Sequence, residues 1–217
     1  MEKIGVFGTG VVGNTIGTKL VQLGYKVMMG SRTATNEKAI AWAEANGKNA
    51  SAGAFKDTAE FGDIIFNCTK GESALEVFAQ AGIDKFNDKV IIDISNPLDF
   101  SKGMPPSLIP QYTNTNSLGE EIQKLLPGAN VVKTLNIVNC EVMVNPKKSG
   151  GDPTMFISGN NREAKEKVEA LLNQFGWTDI IDLGDITTAR GTEMLLPIWL
   201  RTFMATGNGY FGFKIIR

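Results

Sequence analysis

Three glycines, Gly8, Gly10 and Gly13, stand in the spacing G-x-G-x-x-G directly after the apolar run Ile4-Gly5-Val6-Phe7. Placed at the mouth of a helix, that spacing lets free backbone N–H groups and the positive end of the helix dipole receive a pyrophosphate. The six positions Gly8, Thr9, Gly10, Val11, Val12 and Gly13 form the expected phosphate loop. Gly8 is expected to allow the tight turn, Gly10 to let backbone approach the phosphates, and Gly13 to let the helix lie close on the strand. At the end of the second apolar run stand Gly30-Ser31-Arg32, where a dinucleotide site often carries a carboxylate for an adenosine ribose. Here there is none. Ser31 can donate a hydrogen bond and Arg32 can offer a fork of donors to a 2′-phosphate, with Lys38 near in sequence to assist. The residues therefore point to NADP(H). The bland alternative makes Ser31 a turn cap and Arg32 a solvated loop arginine.

Positioning these residues requires strand, helix and strand in quick succession. The pattern supplies a helix over about residues 11–23, Gly24 as its stop, and a strand over residues 25–29. Apolar strands then alternate with helical stretches: strands over 63–68, 89–95, 130–137, 153–158 and 178–183, and helices over 36–46, 73–81 and 117–126. Ala164, Val168, Leu171, Leu172 and Phe175 mark an amphipathic helix capped by Asn160. Residues 101–114, rich in Pro and polar types, read as a loop at the carboxyl edge of the sheet. The fold class implied is α/β: a Rossmann-type, doubly wound, mostly parallel sheet with a small C-terminal helical segment. We divide it into an NADP-binding Rossmann domain over 1–150 and a strand and helix segment over 151–217 that completes the cleft. Residues 187–206 are apolar on every face, interrupted at Pro197, and are expected to be buried in the core or in a homodimer contact.

Composition narrows the classes. A net charge of −1 without a Lys/Arg block argues against a nucleic-acid surface, and no apolar run reaches the roughly 18 residues of a membrane span. The strand pattern begins at the first residues with no export signal ahead of it, which makes a cytoplasmic location the expectation. Histidine is absent and the two cysteines, Cys68 and Cys140, are far apart, so a metal cluster, a Cys/His nucleophile and a disulfide framework are not expected. Cys68 reads as packing.

The Gly-rich opening and Gly30-Ser31-Arg32 are followed by Asn67-Cys68-Thr69, Ile94-Ser95-Asn96-Pro97-Leu98 and Lys133-Thr134-Leu135-Asn136. Together with Asp182-Leu183-Gly184, Ala189-Arg190 and Glu193, they resemble the NADPH-dependent coenzyme F420 reductase family over nearly the whole chain. The resemblance extends to the NADPH-binding domain of membrane metalloreductases. It implies an oxidoreductase that passes a hydride between NADPH and a small-molecule acceptor, a deazaflavin (coenzyme F420) or a flavin. With strand-end position, it implies that Thr69, Lys70, Ser73 and Ala74 line the pyrophosphate and nicotinamide path. Asn96, Pro97 and Asn136 would form the floor or wall near the nicotinamide. The chain departs from the family in Thr69-Lys70-Gly71, where archaeal members have a more apolar, proline-containing turn, and in the long polar loop over 101–116. Both departures bear on the acceptor.

Hydride transfer between flat rings needs stacking, distance and exclusion of water more than a strong acid or base. Reduction of a carbonyl or imine would need a positioned proton donor, for which Lys70, Tyr112 and Lys133 are the candidates, each with an ordinary structural reading. That chemistry, and a nonenzymatic NADP(H)-binding redox sensor, are the alternatives. No catalytic side chain is assigned.

Overall fold

The computed structural model describes residues 2–217. The first half follows the chain order β1 (Lys3–Phe7), α1 (Val11–Gln22), β2 (Lys26–Ser31), α2 (Glu37–Asn46), β3 (Ala50–Ala54), α3 (Phe55–Phe61), β4 (Ile64–Asn67), α4 (Ala74–Ala81) and β5 (Val90–Asp93). A two-strand hairpin, β6 (Leu98–Asp99) and β7 (Ser107–Leu108), precedes α5 (Leu118–Leu125), β8 (Asn130–Lys133) and a short α6 (Cys140–Val144). The remainder is β9 (Thr154–Gly159), α7 (Arg162–Phe175), β10 (Asp179–Asp182) and α8 (Ala189–Thr206).

Eight strands form one sheet in the order β10-β9-β8-β5-β4-β1-β2-β3, parallel throughout except where β9 runs antiparallel to β8. Both faces are covered. Along β1, Ile4 and Val6 point into a cluster with Ile16, Leu20 and Trp42, while Phe7 points the other way onto Phe55, Phe78 and Phe86. Alternate side chains of a strand face opposite sides, so a sheet buried on both faces must be apolar nearly throughout, as β1, β4 and β5 are. The chain steps outward from β1 to β2 and β3, then crosses back to β4 on the other side. The carboxyl ends of β1 and β4 therefore flank a topological switch point, where open α/β sheets bind ligands.

The fold class is as the sequence implies, with three local corrections. β3 and α3 were not anticipated, because Ala50-Ser51-Ala52-Gly53-Ala54 carries neither β-branched nor aromatic residues; its pairing with β2 makes it a strand. Asn161, not Asn160, caps α7 through the Ala164 N–H, and Asn160 instead accepts from the Ile186 N–H. The last helix runs unbroken through Pro197 from Ala189 to Thr206. Within one chain, Ala189, Thr192, Glu193 and Leu196 face inward, whereas Ile198 and Met204 are each 51% exposed. One inward face is all that α5 and β9 can cover.

Beyond α8 the chain folds back along β9. The Thr154 N–H donates to the Phe213 carbonyl, and Trp199 stacks between Phe203 and Phe211 at centroid distances of 5.8 and 5.3 Å.

Candidate functional site: the switch-point cleft

The Gly-rich turn is built by close contacts. Gly8 has φ +112°, a left-handed region that favours glycine, and a Cβ there would lie 2.8 Å from the Cys68 carbonyl oxygen. A Cβ on Gly13 would fall 2.0 Å from the Gly8 oxygen, so only glycine lets α1 start this near β1. Gly10 is different: a Cβ would meet no atom within 4 Å, and the space above it is open. Gly10 is also the N-cap of α1 and has no side chain to satisfy the N–H groups of the first turn, which contains no acidic residue. These free donors, with the helix dipole behind them, suit an anion.

A cleft of about 360 Å³ brings Gly8, Thr9 and Gly10 together with Ser31, Arg32, Thr69, Lys70 and Ser73. No carboxylate among the described residues lines it. Ser31 is buried and its hydroxyl proton goes to the Thr33 carbonyl at 2.6 Å, so it caps the turn and does not donate outward as expected, whereas Arg32 is exposed. Adjoining it across Cys68, Thr69 and Lys70 is a second cleft of about 230 Å³, walled by Val12, Ile94, Leu98 and Phe100, with Asn96 and Glu72 at its edge. The polar and apolar spaces meet at Thr69. Asn36, Phe55 and Val77 on the polar side, and Ile94, Leu98 and Phe100 on the apolar side, were missed from sequence; they converge only through the crossover.

Several expected residues fall elsewhere. Lys38 does not join Ser31 and Arg32 but lines a neighbouring groove between α1 and α2, with Thr9, Gly10 and Trp42. Ala74 is fully buried in the core beside Phe78, and Pro97 is buried with its carbonyl accepting from the Ile109 N–H. Asn136 and Asn96 are joined amide to amide, with Asn136 Nδ2 2.9 Å from Asn96 Oδ1 and Asn96 Nδ2 2.8 Å from the Asn136 carbonyl. Asn136 is thereby a brace, also donating to the Thr192 carbonyl in α8. Tyr112, a candidate proton donor, packs in the core cluster with Leu118 and Phe78.

Lys133 is a structural cation. Its side chain is fully buried, 2.7 Å from Asp93 Oδ2 and 2.9 Å from Glu193 Oε1, and it donates to the Ser95 carbonyl at 2.6 Å. Burial pulls the ammonium pKa down, but Asp93 and Glu193 together outweigh it and hold the group above its ordinary value. Burial pushes the Glu193 carboxyl up, opposed by Lys133 and the Leu118 N–H. Glu193 also accepts the Leu118 and Gly119 N–H groups at 2.8 and 3.0 Å, which places a carboxylate at the N-terminus of α5. The network continues toward the cleft: Asp93 Oδ1 accepts from Asn67 Nδ2 at 2.8 Å, and Asn67 Oδ1 accepts from Thr69 Oγ1 at 2.6 Å. Lys70 remains at the cleft mouth, 79% exposed and 3.8 Å from Glu72. Burial and the neighbouring Asp93 push the Cys68 thiol well up, which disfavours its thiolate form. No group of His, Cys, Asp and Glu among the described residues could hold a metal ion.

Gly-rich turn, helix N-terminus and switch point define a Rossmann-type dinucleotide site. Comparison with known proteins makes the assignment particular. The family "NADP oxidoreductase coenzyme F420-dependent" matches residues 3–97. A 1.70 Å crystal structure from Arthrobacter sp. FB24, provisionally assigned as an F420-dependent NADP reductase, is 45% identical, covers all of both chains and superposes with a TM-score of 0.94. The chain belongs to this family. The F420-dependent NADP reductase of Methanocaldococcus jannaschii is 27% identical over 66% of this chain and 63% of its own. Metalloreductase STEAP3 of Rattus norvegicus is 27% identical over 94% of this chain, which spans only 39% of that protein. A reductive aminase from Aspergillus terreus solved with NADPH shares the fold alone, at 19% identity and a TM-score of 0.67. No helix among the described residues is long and apolar enough to cross a membrane.

Proposed function

We propose that the chain binds NADP(H) in the switch-point cleft and passes a hydride between its nicotinamide and a flavin-like or deazaflavin acceptor. The observation that carries this reading is the joining of two spaces at Thr69. One is a carboxylate-free cleft with Arg32 and the bare α1 N-terminus; the other is an apolar cleft walled by Val12, Ile94, Leu98 and Phe100. The first suits a pyrophosphate and a 2′-phosphate, and the second suits a flat uncharged ring. When bound, the nicotinamide supplies the hydride. The residues of this chain bind, orient and exclude water, and no acid is required of them. Two of the three proton-donor candidates, Lys133 and Tyr112, are sealed in the interior, which favours ring-to-ring transfer over reduction of a carbonyl or imine.

The test is anaerobic NADPH oxidation by the purified protein with coenzyme F420, FMN and riboflavin offered separately. Rapid turnover with one of them names the acceptor. Tight NADPH binding without turnover on any of the three would overturn the hydride-relay reading. The exposed stripe of α8, with Met194, Ile198 and Met204, is taken as the contact between two copies of the chain. A monomeric mass in light scattering would overturn that assignment.

A further inference from the structure

Thr69 is held in one hydrogen-bonding state by the residues behind it. Asp93, paired with the buried ammonium of Lys133, presents Oδ1 to Asn67 at 2.8 Å, and a carboxylate can only accept. The amide of Asn67 must therefore turn its NH₂ toward Asp93. The other end agrees: the Thr69 backbone N–H, which can only donate, lies 3.3 Å from Asn67 Oδ1. Two independent partners thus fix the orientation of Asn67, and Oδ1 faces Thr69. The Thr69 hydroxyl, 2.6 Å from that oxygen, has a single proton and must spend it there. Its remaining lone pairs are free, and Thr69 lines both the polar and the apolar cleft. Asn67, Asp93 and Lys133 end three adjacent strands in register, so the backbone itself sets the chain of polar groups.

We propose that Thr69 Oγ1 is an obligate hydrogen-bond acceptor at the junction of the two clefts, and that it reads a donor on the nicotinamide riboside half of NADP(H). That donor is the carboxamide NH₂ or a ribose hydroxyl. Asn67 is the positioning residue that fixes the polarity. The inference rests on the NADP(H) reading above and adds a residue that reads the nicotinamide half of the cofactor.

The experiment titrates the full chain with NADPH, with the 3-acetylpyridine analogue of NADP, in which a methyl ketone replaces the amide donor, and with adenosine 2′,5′-bisphosphate, which lacks the nicotinamide half. Thr69→Val should weaken NADPH binding about threefold to tenfold, the range of one hydrogen bond. Thr69→Ser should restore it, and binding of the bisphosphate should not change. If the loss disappears on the acetylpyridine analogue, the donor is the amide; if it persists, the donor is a ribose hydroxyl. Asn67→Ala should weaken NADPH but not the bisphosphate, and adding Thr69→Val in that background should cost little more. Unchanged NADPH binding by Thr69→Val, or an equal loss on the bisphosphate, overturns the proposal. Failure of the unaltered protein to bind either NADPH or the bisphosphate would instead overturn the NADP(H) reading, and this one with it.

Discussion

Arg32 and Gly10 carry the most direct consequences at the scale of single residues. Arg32 is exposed and, among the described residues, makes no ion pair and has no carboxylate in its cleft, so its guanidinium is available to a 2′-phosphate. A charge-assisted contact contributes about 1.5–3 kcal/mol. Arg32→Ala should raise the dissociation constant for NADPH by roughly tenfold to a hundredfold and leave that for NADH nearly unchanged. Equal effects on the two cofactors, measured by fluorescence titration, would remove the 2′-phosphate role. Gly10→Val should fold normally, since a Cβ there touches no protein atom, yet fill the space above the free N–H groups. Loss of binding to both cofactors with a thermal midpoint lowered by no more than about a few degrees, the effect of valine at the N-cap, is the expected pair of results. Gly13→Ala should behave in the opposite way and lose stability first, because its Cβ would collide with the Gly8 carbonyl.

At the scale of elements, α8 is attached to the sheet by charge as well as by packing. Glu193 sits with Lys133 and Asp93 in the dry interior, while Arg190 pairs with Glu120 of α5 at 2.5 Å in a partly exposed position. Removing one partner of a buried set leaves uncompensated charge and costs about 3–5 kcal/mol. Lys133→Met would strand two carboxylates and should lower stability by that order. Breaking the partly exposed pair with Arg190→Ala should cost about 1 kcal/mol or less. Urea unfolding of the two variants gives the order directly, and near-equal losses would show that the triad is not what secures the helix. The apolar sequence of α8 misleads on this point: the stripe turned outward is apolar as well, so hydrophobicity alone identifies neither the inward face nor Glu193 as its anchor.

At the scale of the whole molecule, the chain end is pinned by Asp179. Lys214, ahead of Thr154 and Arg217, holds its carboxyl well below the usual range. A carboxylate with a depressed pKa stabilises the fold above its unfolded value, roughly 3.9, and the contribution fades as pH falls toward the folded value. Residues 208–217 should therefore detach in acid before the sheet unfolds. The Trp199 fluorescence, isolated by difference from Trp199→Phe, reports this because its ring stacks on Phe211. In Lys214→Ala the release should shift toward neutral pH; no shift would remove Asp179 as the pin. The sequence by itself determined the class of the protein. Strand, glycine spacing and helix lie within residues 3–22, and Ser31-Arg32 follows one strand later, so local pattern suffices for the strand–turn–helix opening and for the proposed NADP(H) reading. Tertiary structure alone decided what stands around them. β3 is a strand only because β2 lies beside it, Lys38 falls in a different groove from Arg32, and Lys133 changes from candidate proton donor to sealed cation. A trace was present in the sequence, since the apolar strands β4, β5 and β8 each end on a polar residue, Asn67, Asp93 and Lys133. Their meaning depends on register between segments far apart in the chain, and register is set by the packing of the sheet between its two layers of helices.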